Sequence, residues 1–238
     1  MRRAGAIAAA ARSLAGKMAV PGVTTLEIDK AVHDFIVKSG AKPTFLHYSG
    51  YPASVCVSVN DEVIHGIPGK RVIRDGDVVS IDVGATFEGY VGDCAATYIA
   101  GSASDEAKKL IQVTRQSFFE GMKFARVGYR ISDISHAVQQ YAEENGFSVV
   151  REYVGHGVGA AMHEDPEVPN YGLPGHGPRL MAGMTLAVEP MINAGKAAVR
   201  VLPDGWTVKT ADGSLSAHYE NSILITNGEP EILTAPEE

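Results

Sequence analysis

Gly76-Asp77-Val78-Val79-Ser80-Ile81-Asp82 and Gly183-Met184-Thr185-Leu186-Ala187-Val188-Glu189 are two copies of one pattern. Each is a glycine, an apolar strand and a carboxylate six residues beyond the glycine, and the copies lie 107 residues apart. The same offset, within one residue, aligns Gly22–Gly40 with Gly128–Gly146. Gly22/Gly128, Ile28/Ile134, Ala31/Ala137, Val32/Val138 and Gly40/Gly146 agree there. A duplication of this kind predicts one domain, residues 1–238, built of pseudo-repeats at about 1–110 and 111–238. Equivalent strands then meet at a pseudo-twofold axis and bring Asp82 and Glu189 together. Buried carboxylates do not converge without a counter-charge, and a metal is the simplest one.

The rest of the chain is ordered around these strands. A helix ends near Pro21-Gly22, and Thr24 or Thr25 caps a second one that runs to about Gly40. Its apolar positions Leu26, Ile28, Ala31, Val32 and Phe35 recur at roughly helical spacing. Strands are predicted at Cys56–Val59, Val78–Val83 and Val91–Tyr98, the last two joined by a turn near Phe87-Glu88-Gly89. Helices follow at about Ser104–Phe124 and Ile131–Asn145, then strands at Ser148–Tyr153, Thr185–Ile192 and Ser222–Thr226. The Pro- and Gly-rich stretch Pro166–Pro178 reads as a loop.

Bulk properties exclude several functions. A net charge of −7 without a dense Lys/Arg run excludes a nucleic-acid binder led by phosphate contacts. No apolar run approaches the length of a membrane span. Cys56 and Cys94 resemble neither a disulfide framework nor a zinc-binding CxxC pair, which suits a reducing, cytoplasmic setting. Met1-Arg2-Arg3 and the alanines after it superficially resemble a signal peptide, but Arg12 interrupts the run, which continues as an alanine-rich helix.

Asp82 and Asp93 flank the expected hairpin turn almost symmetrically, so antiparallel pairing can place both on one ion. Glu189 sits in Leu186-Ala187-Val188-Glu189-Pro190-Met191-Ile192, where an unpaired acid is costly, and no buried arginine stands out as its partner. Glu220 is an acid at the entrance of a later strand. Four such carboxylates with a histidine make hard, oxygen-rich ligation that fits two divalent ions better than a thiolate-bound zinc. His156 lies in Gly155-His156-Gly157-Val158-Gly159, and His163 and His65 also stand beside turns. These three are read as functional; His33, His47, His136 and His176 are read as surface or structural, and His218 as at most a neighbour of the ligands.

The motifs Asn60-Asp61-Glu62-Val63-Ile64-His65-Gly66-Ile67-Pro68, Ile81-Asp82-Val83-Gly84, Gly92-Asp93, Gly155-His156-Gly157-Val158-Gly159, His163-Glu164, Val188-Glu189-Pro190-Met191 and Tyr219-Glu220 closely resemble the type I methionine aminopeptidases. So does Asp204-Gly205-Trp206-Thr207-Val208-Lys209-Thr210, and the motifs occur in order over nearly the whole chain. The resemblance implies the α/β (α+β) pita-bread fold: pseudo-twofold duplicated half-domains, with antiparallel sheets backed by helices. It implies a cytoplasmic, monomeric aminopeptidase that removes the initiator methionine from nascent chains when the second residue is small. Its partners would be nascent peptide N-termini and, transiently, the ribosome, with no nucleic acid or membrane.

By the same resemblance, Asp82, Asp93, His156, Glu189 and Glu220 are the ligands of two divalent ions drawn from Co, Mn, Fe or Zn. Asp93 and Glu220 bridge both ions, and a hydroxide held between the ions attacks the scissile carbonyl. Glu189 doubles as general base, His163 binds the carbonyl oxygen and His65 contacts the scissile amide nitrogen. Tyr48, Tyr51, Cys56, His65, Met162 and Trp206 are the implied methionine pocket. Phe45, Ala160 and Met162 depart from the residues common at these positions, which puts the pocket's shape in question. No long insertion of the type II kind separates Glu189 from Glu220. The competing readings are an Xaa-Pro aminopeptidase or dipeptidase of the same fold, and a non-catalytic relative that binds ribosomes or partner proteins.

Overall fold

Two pairs of helices, one in each half of the chain, back the sheets of the protein. The computed structural model describes residues 1–235. The helices are α1 (Arg2–Met18), α2 (Thr25–Lys38), α3 (Asp105–Met122) and α4 (Ile131–Glu144). The strands of the first half are β1 (Lys42–Pro43), β2 (Cys56–Val59), β3 (Glu62–Ile64), β4 (Val78–Phe87) and β5 (Tyr90–Ile99). Those of the second half are β6 (Ser148–Val149), β7 (Gly155–Gly157), β8 (Glu164–Val168), β9 (Thr185–Val188), β10 (Met191–Asn193), β11 (Val199–Val201), β12 (Val208–Thr210), β13 (Ser216–His218), β14 (Asn221–Leu224) and β15 (Glu231–Ile232).

Local chemistry sets the helix ends. The Thr24 hydroxyl accepts from the Glu27 backbone N–H while the Glu27 carboxylate accepts from the Thr24 N–H, a reciprocal cap that starts α2. Ser104 accepts from the Ala107 N–H at the start of α3. Ile131, Ile134, Val138 and Ala142 form the buried stripe of α4 and pack with Leu186, Val188 and Ile223 of the second-half sheet, or in the case of Ala142 against Leu110 of α3. In α1 the buried stripe is Ala4, Ala8, Ala11 and Ala15. Such small side chains let this helix lie almost on the backbone of β5. A Cβ added to Gly92 would come within 2.5 Å of the Gly5 nitrogen.

Every strand pairing is antiparallel. In the first half β4 pairs with β2 and β1 on one side and β5 on the other. The second half carries a sheet of order β15-β14-β9-β7-β8 and a smaller one of order β13-β10-β6, while β11-β12-β3 joins strands of both halves. The halves are also tied together at Ala95 and Glu220, which exchange two backbone hydrogen bonds, of 3.2 and 2.9 Å. Among the described residues no helix is long and apolar enough to cross a membrane.

The helices and the three strands expected in the first half fall where the sequence predicts them, to within a few residues at the ends, while the short strands β1 and β3 are additional. The hairpin turn is Glu88-Gly89, both with positive φ (49° and 80°), as a two-residue turn matched to strand twist requires. Three expectations are corrected. Thr185–Ile192 is not one strand: it breaks at Glu189-Pro190 into β9 and β10, which belong to different sheets, because proline has no N–H for a ladder. Of Ser148–Tyr153 only Ser148 and Val149 form a strand, with one further backbone hydrogen bond from Val150 N to the Met191 carbonyl (3.0 Å). The stretch from Pro166 is not wholly loop, because Glu164–Val168 pairs with β7.

Candidate active site and metal centre

Strand register collects the site. Asp82 of β4 pairs with Ala95, and Asp93 lies two residues along β5, so the acids are diagonal neighbours on one face and not directly opposite as their spacing suggests. Asp93 is also well inside the strand, not in a turn. The second half repeats the device. His156 of β7 pairs with Ala187, and Glu189 stands two residues beyond that partner. Glu220 directly precedes β14.

These five side chains line a cavity of ≈ 330 Å³. Asp93, His156 and Glu220 form its tightest group, with one ligand atom from each lying within 4.8 Å of the others. His156 Nε2 is 3.5 Å from Glu189 Oε1 and 3.7 Å from Asp93 Oδ2. Burial pushes the Asp82, Glu189 and Glu220 carboxyls well up, and neighbouring carboxylates raise them further. Asp93 is pushed up to about 7, mainly by burial. The same burial holds His156 down to about 4, so its ring is neutral and free to act as a ligand. Asp82 Oδ1, Asp93 Oδ1 and Glu220 Oε1 are buried without a hydrogen-bond partner. Unsatisfied carboxylate oxygens converging with a neutral imidazole are a donor set for a hard divalent cation.

The predicted histidines and pocket residues are on the same cavity. His163, on the loop after β7, has its ring 4.3 Å from that of His156, and its Nδ1 is 2.7 Å from the Tyr48 hydroxyl. His65 has positive φ (58°) and packs edge-on against Tyr153 and Trp206. Burial, then the proximity of His163, lowers it to about 4. Tyr51, Cys56, Met162 and Trp206 line the apolar side, joined by Phe45. The Tyr51 hydroxyl donates to the Val55 and Gly66 carbonyls, which fixes this wall.

Two residues carry more than the sequence discloses. His218 is fully buried with Nε2 unpartnered, 3.8 Å from Glu189 Oε2 and 4.0 Å from Glu220 Oε2. Arg12, only 5% exposed, is the one buried lysine or arginine among the described residues. Its guanidinium donates to the carbonyls of Ala95, Glu220 and Thr234 and to Asn221 Oδ1, so it lies behind Glu220 and does not pair with Glu189. A charge on the otherwise apolar stripe of an alanine helix was the signal for it.

Comparison with known proteins agrees with this geometry. Metallopeptidase family M24 matches residues 1–227. The methionine aminopeptidase of Clostridium perfringens is 55% identical over 98% of this chain and 94% of its own length. Methionine aminopeptidase 1 of Bacillus subtilis is 53% identical over the same shares. The crystal structure of the Thermotoga maritima methionine aminopeptidase, 47% identical, superposes with a TM-score of 0.98 over all of this chain and 95% of that one. A prolidase from Pyrococcus furiosus, 22% identical with a TM-score of 0.77, shares the fold, and this chain covers 63% of it. With its pita-bread architecture and its cluster of buried carboxylates, the chain belongs to metallopeptidase family M24, among the methionine aminopeptidases.

Proposed function

We propose that this enzyme removes the initiator methionine from nascent polypeptides whose second residue is small, acting as a monomer on peptide N-termini in the cytoplasm and meeting the ribosome transiently. The observation that carries this reading is the cavity itself. Four carboxylates, with Asp93 and Glu220 buried and Asp82 and Glu189 partly so, line it together with a neutral histidine and the apolar side chains of Phe45, Cys56, Met162 and Trp206. The free, buried thiols of Cys56 and Cys94 support a reducing compartment. The repeat about 1–110 and 111–238 supports reading residues 1–238 as one unit, because each half supplies part of the site.

Asp82, Asp93, His156, Glu189 and Glu220 would hold the metal. Four carboxylates match the charge of two dications, drawn from Co, Mn, Fe or Zn. Metal held there supplies Lewis acidity and lowers the pKa of water toward neutrality. The remaining work falls to side chains. Glu189, whose burial favours a bound proton, accepts one from the attacking water and passes it to the leaving amine. His163 donates a hydrogen bond to the scissile carbonyl oxygen as negative charge develops on it. His65, neutral at physiological pH, offers one donor and one acceptor and contacts the scissile amide nitrogen. Tyr51, Cys56, Met162 and Trp206 enclose the methionine side chain, and Phe45 narrows the pocket beside Gly84.

The test is direct. Purified protein supplied with Mn or Co releases methionine from Met-Ala-Ser, prefers it to Xaa-Pro peptides, and loses the activity in Glu189→Ala and His156→Ala. Absence of release with every divalent metal would overturn the reading.

A further inference from the structure

Tyr48 stands on the most contorted backbone near the cavity. His47 and Ser49 have positive φ (69° and 50°) although neither is glycine, and Gly50 follows at 90°. Left-handed conformations in non-glycine residues persist only where surrounding contacts over-determine them, and they gather at working sites. Here the contacts are a closed set of backbone hydrogen bonds. His47 N donates to the Tyr51 carbonyl (2.8 Å), Tyr48 N to Phe45 (2.9 Å), Gly50 N to His47 (3.2 Å) and Tyr51 N to Tyr48 (2.9 Å). Buried Phe45 and Tyr51 anchor the two ends. The turn holds Tyr48, itself 40% exposed, out over the cavity.

What Tyr48 meets there is the second half of the chain. Its hydroxyl lies 2.7 Å from Nδ1 of His163, 115 residues further on, with ring centroids 5.3 Å apart. We propose that Tyr48 is a positioning residue for His163: its hydroxyl donates to Nδ1, so that the ring proton sits on Nε2 and the imidazole meets the scissile carbonyl as a donor. A neutral imidazole has one donor and one acceptor nitrogen, and the bond at one nitrogen selects the state of the other. A phenol that instead accepted from Nδ1–H would leave Nε2 with a lone pair, which repels a developing oxyanion. The strained turn thus settles a proton position on the opposite wall of the site, beyond any packing that Tyr48 gives to methionine. The inference rests on the proposed role of His163.

Tyr48→Phe keeps the ring and removes the hydroxyl. With Met-Ala-Ser the expected result is a kcat lowered about five- to tenfold, the scale of one neutral hydrogen bond, with KM changed less than about twofold. In zinc-loaded, 15N-histidine-labelled protein, wild-type His163 carries its proton on Nε2 alone, and Tyr48→Phe shows both tautomers. A wild-type proton on Nδ1, or a Tyr48→Phe enzyme with unchanged kcat and tautomer, overturns the proposal. His163→Ala separates the two levels. If it retains full kcat, the role of His163 fails and this inference falls with it. If it is inactive while Tyr48→Phe is fully active, only the role of Tyr48 is rejected.

Discussion

The guanidinium of Arg12, near the start of the chain, donates to the backbone carbonyl of Glu220, 208 residues later, at 3.1 Å. The same nitrogen reaches Asn221 Oδ1 and the Ala95 carbonyl. One side chain of α1 therefore clamps the point where the two halves of the molecule exchange backbone hydrogen bonds, directly behind the carboxylate cluster. Arg12→Met keeps much of the side-chain length but leaves these buried acceptors unpaired. We expect a loss of about 3 kcal/mol of stability in urea unfolding, the usual scale for stripping a buried charged donor from its partners. A midpoint unchanged from wild type would show that the clamp is dispensable.

Metal-free protein should have a pH dependence opposite to that of most proteins, with the four raised carboxyls outweighing His65, His156 and His218, whose lowered values work the other way. The carboxyls of Asp82, Glu189 and Glu220 are raised by burial and mutual repulsion, and Asp93 is raised to about 7. A carboxyl whose folded pKa exceeds its unfolded one binds more protons in the native state, so its stabilising effect is complete below the unfolded value and declines as pH rises through the folded one. Chelator-treated protein should therefore melt at a higher temperature at pH 5 than at pH 8. Saturating divalent metal should raise the melting temperature most at pH 8, where cations replace the missing protons. Scanning calorimetry with and without metal measures both, and equal melting temperatures at the two pH values in the metal-free protein would count against the buried cluster.

His218 Nε2 faces Glu189 and Glu220 without any hydrogen-bond partner of its own. It is placed to orient both carboxylates once they carry full charge. His218→Ala should weaken divalent-metal binding about tenfold to a hundredfold, the range seen when a residue supporting a ligand is removed. Calorimetric titration reads this, and wild-type affinity in the variant would assign His218 to packing alone.

Gly92 precedes Asp93 and touches the backbone of α1. A Cβ there would lie 2.5 Å from Gly5 N and 2.6 Å from Ala4 C, which are backbone atoms that cannot rotate aside. Gly92→Ala should cost about 2 kcal/mol or more by prying α1 from β5. A far-UV circular dichroism melt that matched wild type would contradict this close packing.

The carboxylates and histidines were legible in the sequence because a charged group in an apolar strand needs a reason to be there, and Asp82, Glu189 and Glu220 each stand in such a setting. The duplicated pattern was legible for a similar reason, since glycines and strand alternation are written locally. Arg12 was less so. It reads as an interruption of an alanine run, and its four acceptors lie on segments more than eighty residues distant. His218, two residues before Glu220, was visible only as a neighbour of the ligands, because nothing local reports that its Nε2 is left unpartnered.

The linear chain carries the residues proposed for the chemistry, and it specifies helix or strand wherever a cap, a periodic stripe or a two-residue turn settles the matter. Tertiary structure settled how residues from distant segments meet. In both halves the candidate pair is offset by two residues, Asp82 with Asp93 along β5 and His156 with Glu189 just past the end of β9. In the first half the Glu88-Gly89 turn pairs Phe87 with Tyr90 and so fixes that offset locally, whereas β7 and β9 are far apart in the chain and their register is set only by packing and pairing across the sheet. The Tyr48–His163 bond and the Arg12 clamp have the same origin. Each joins groups from opposite halves, and only the folded arrangement of the halves brings them within hydrogen-bonding distance.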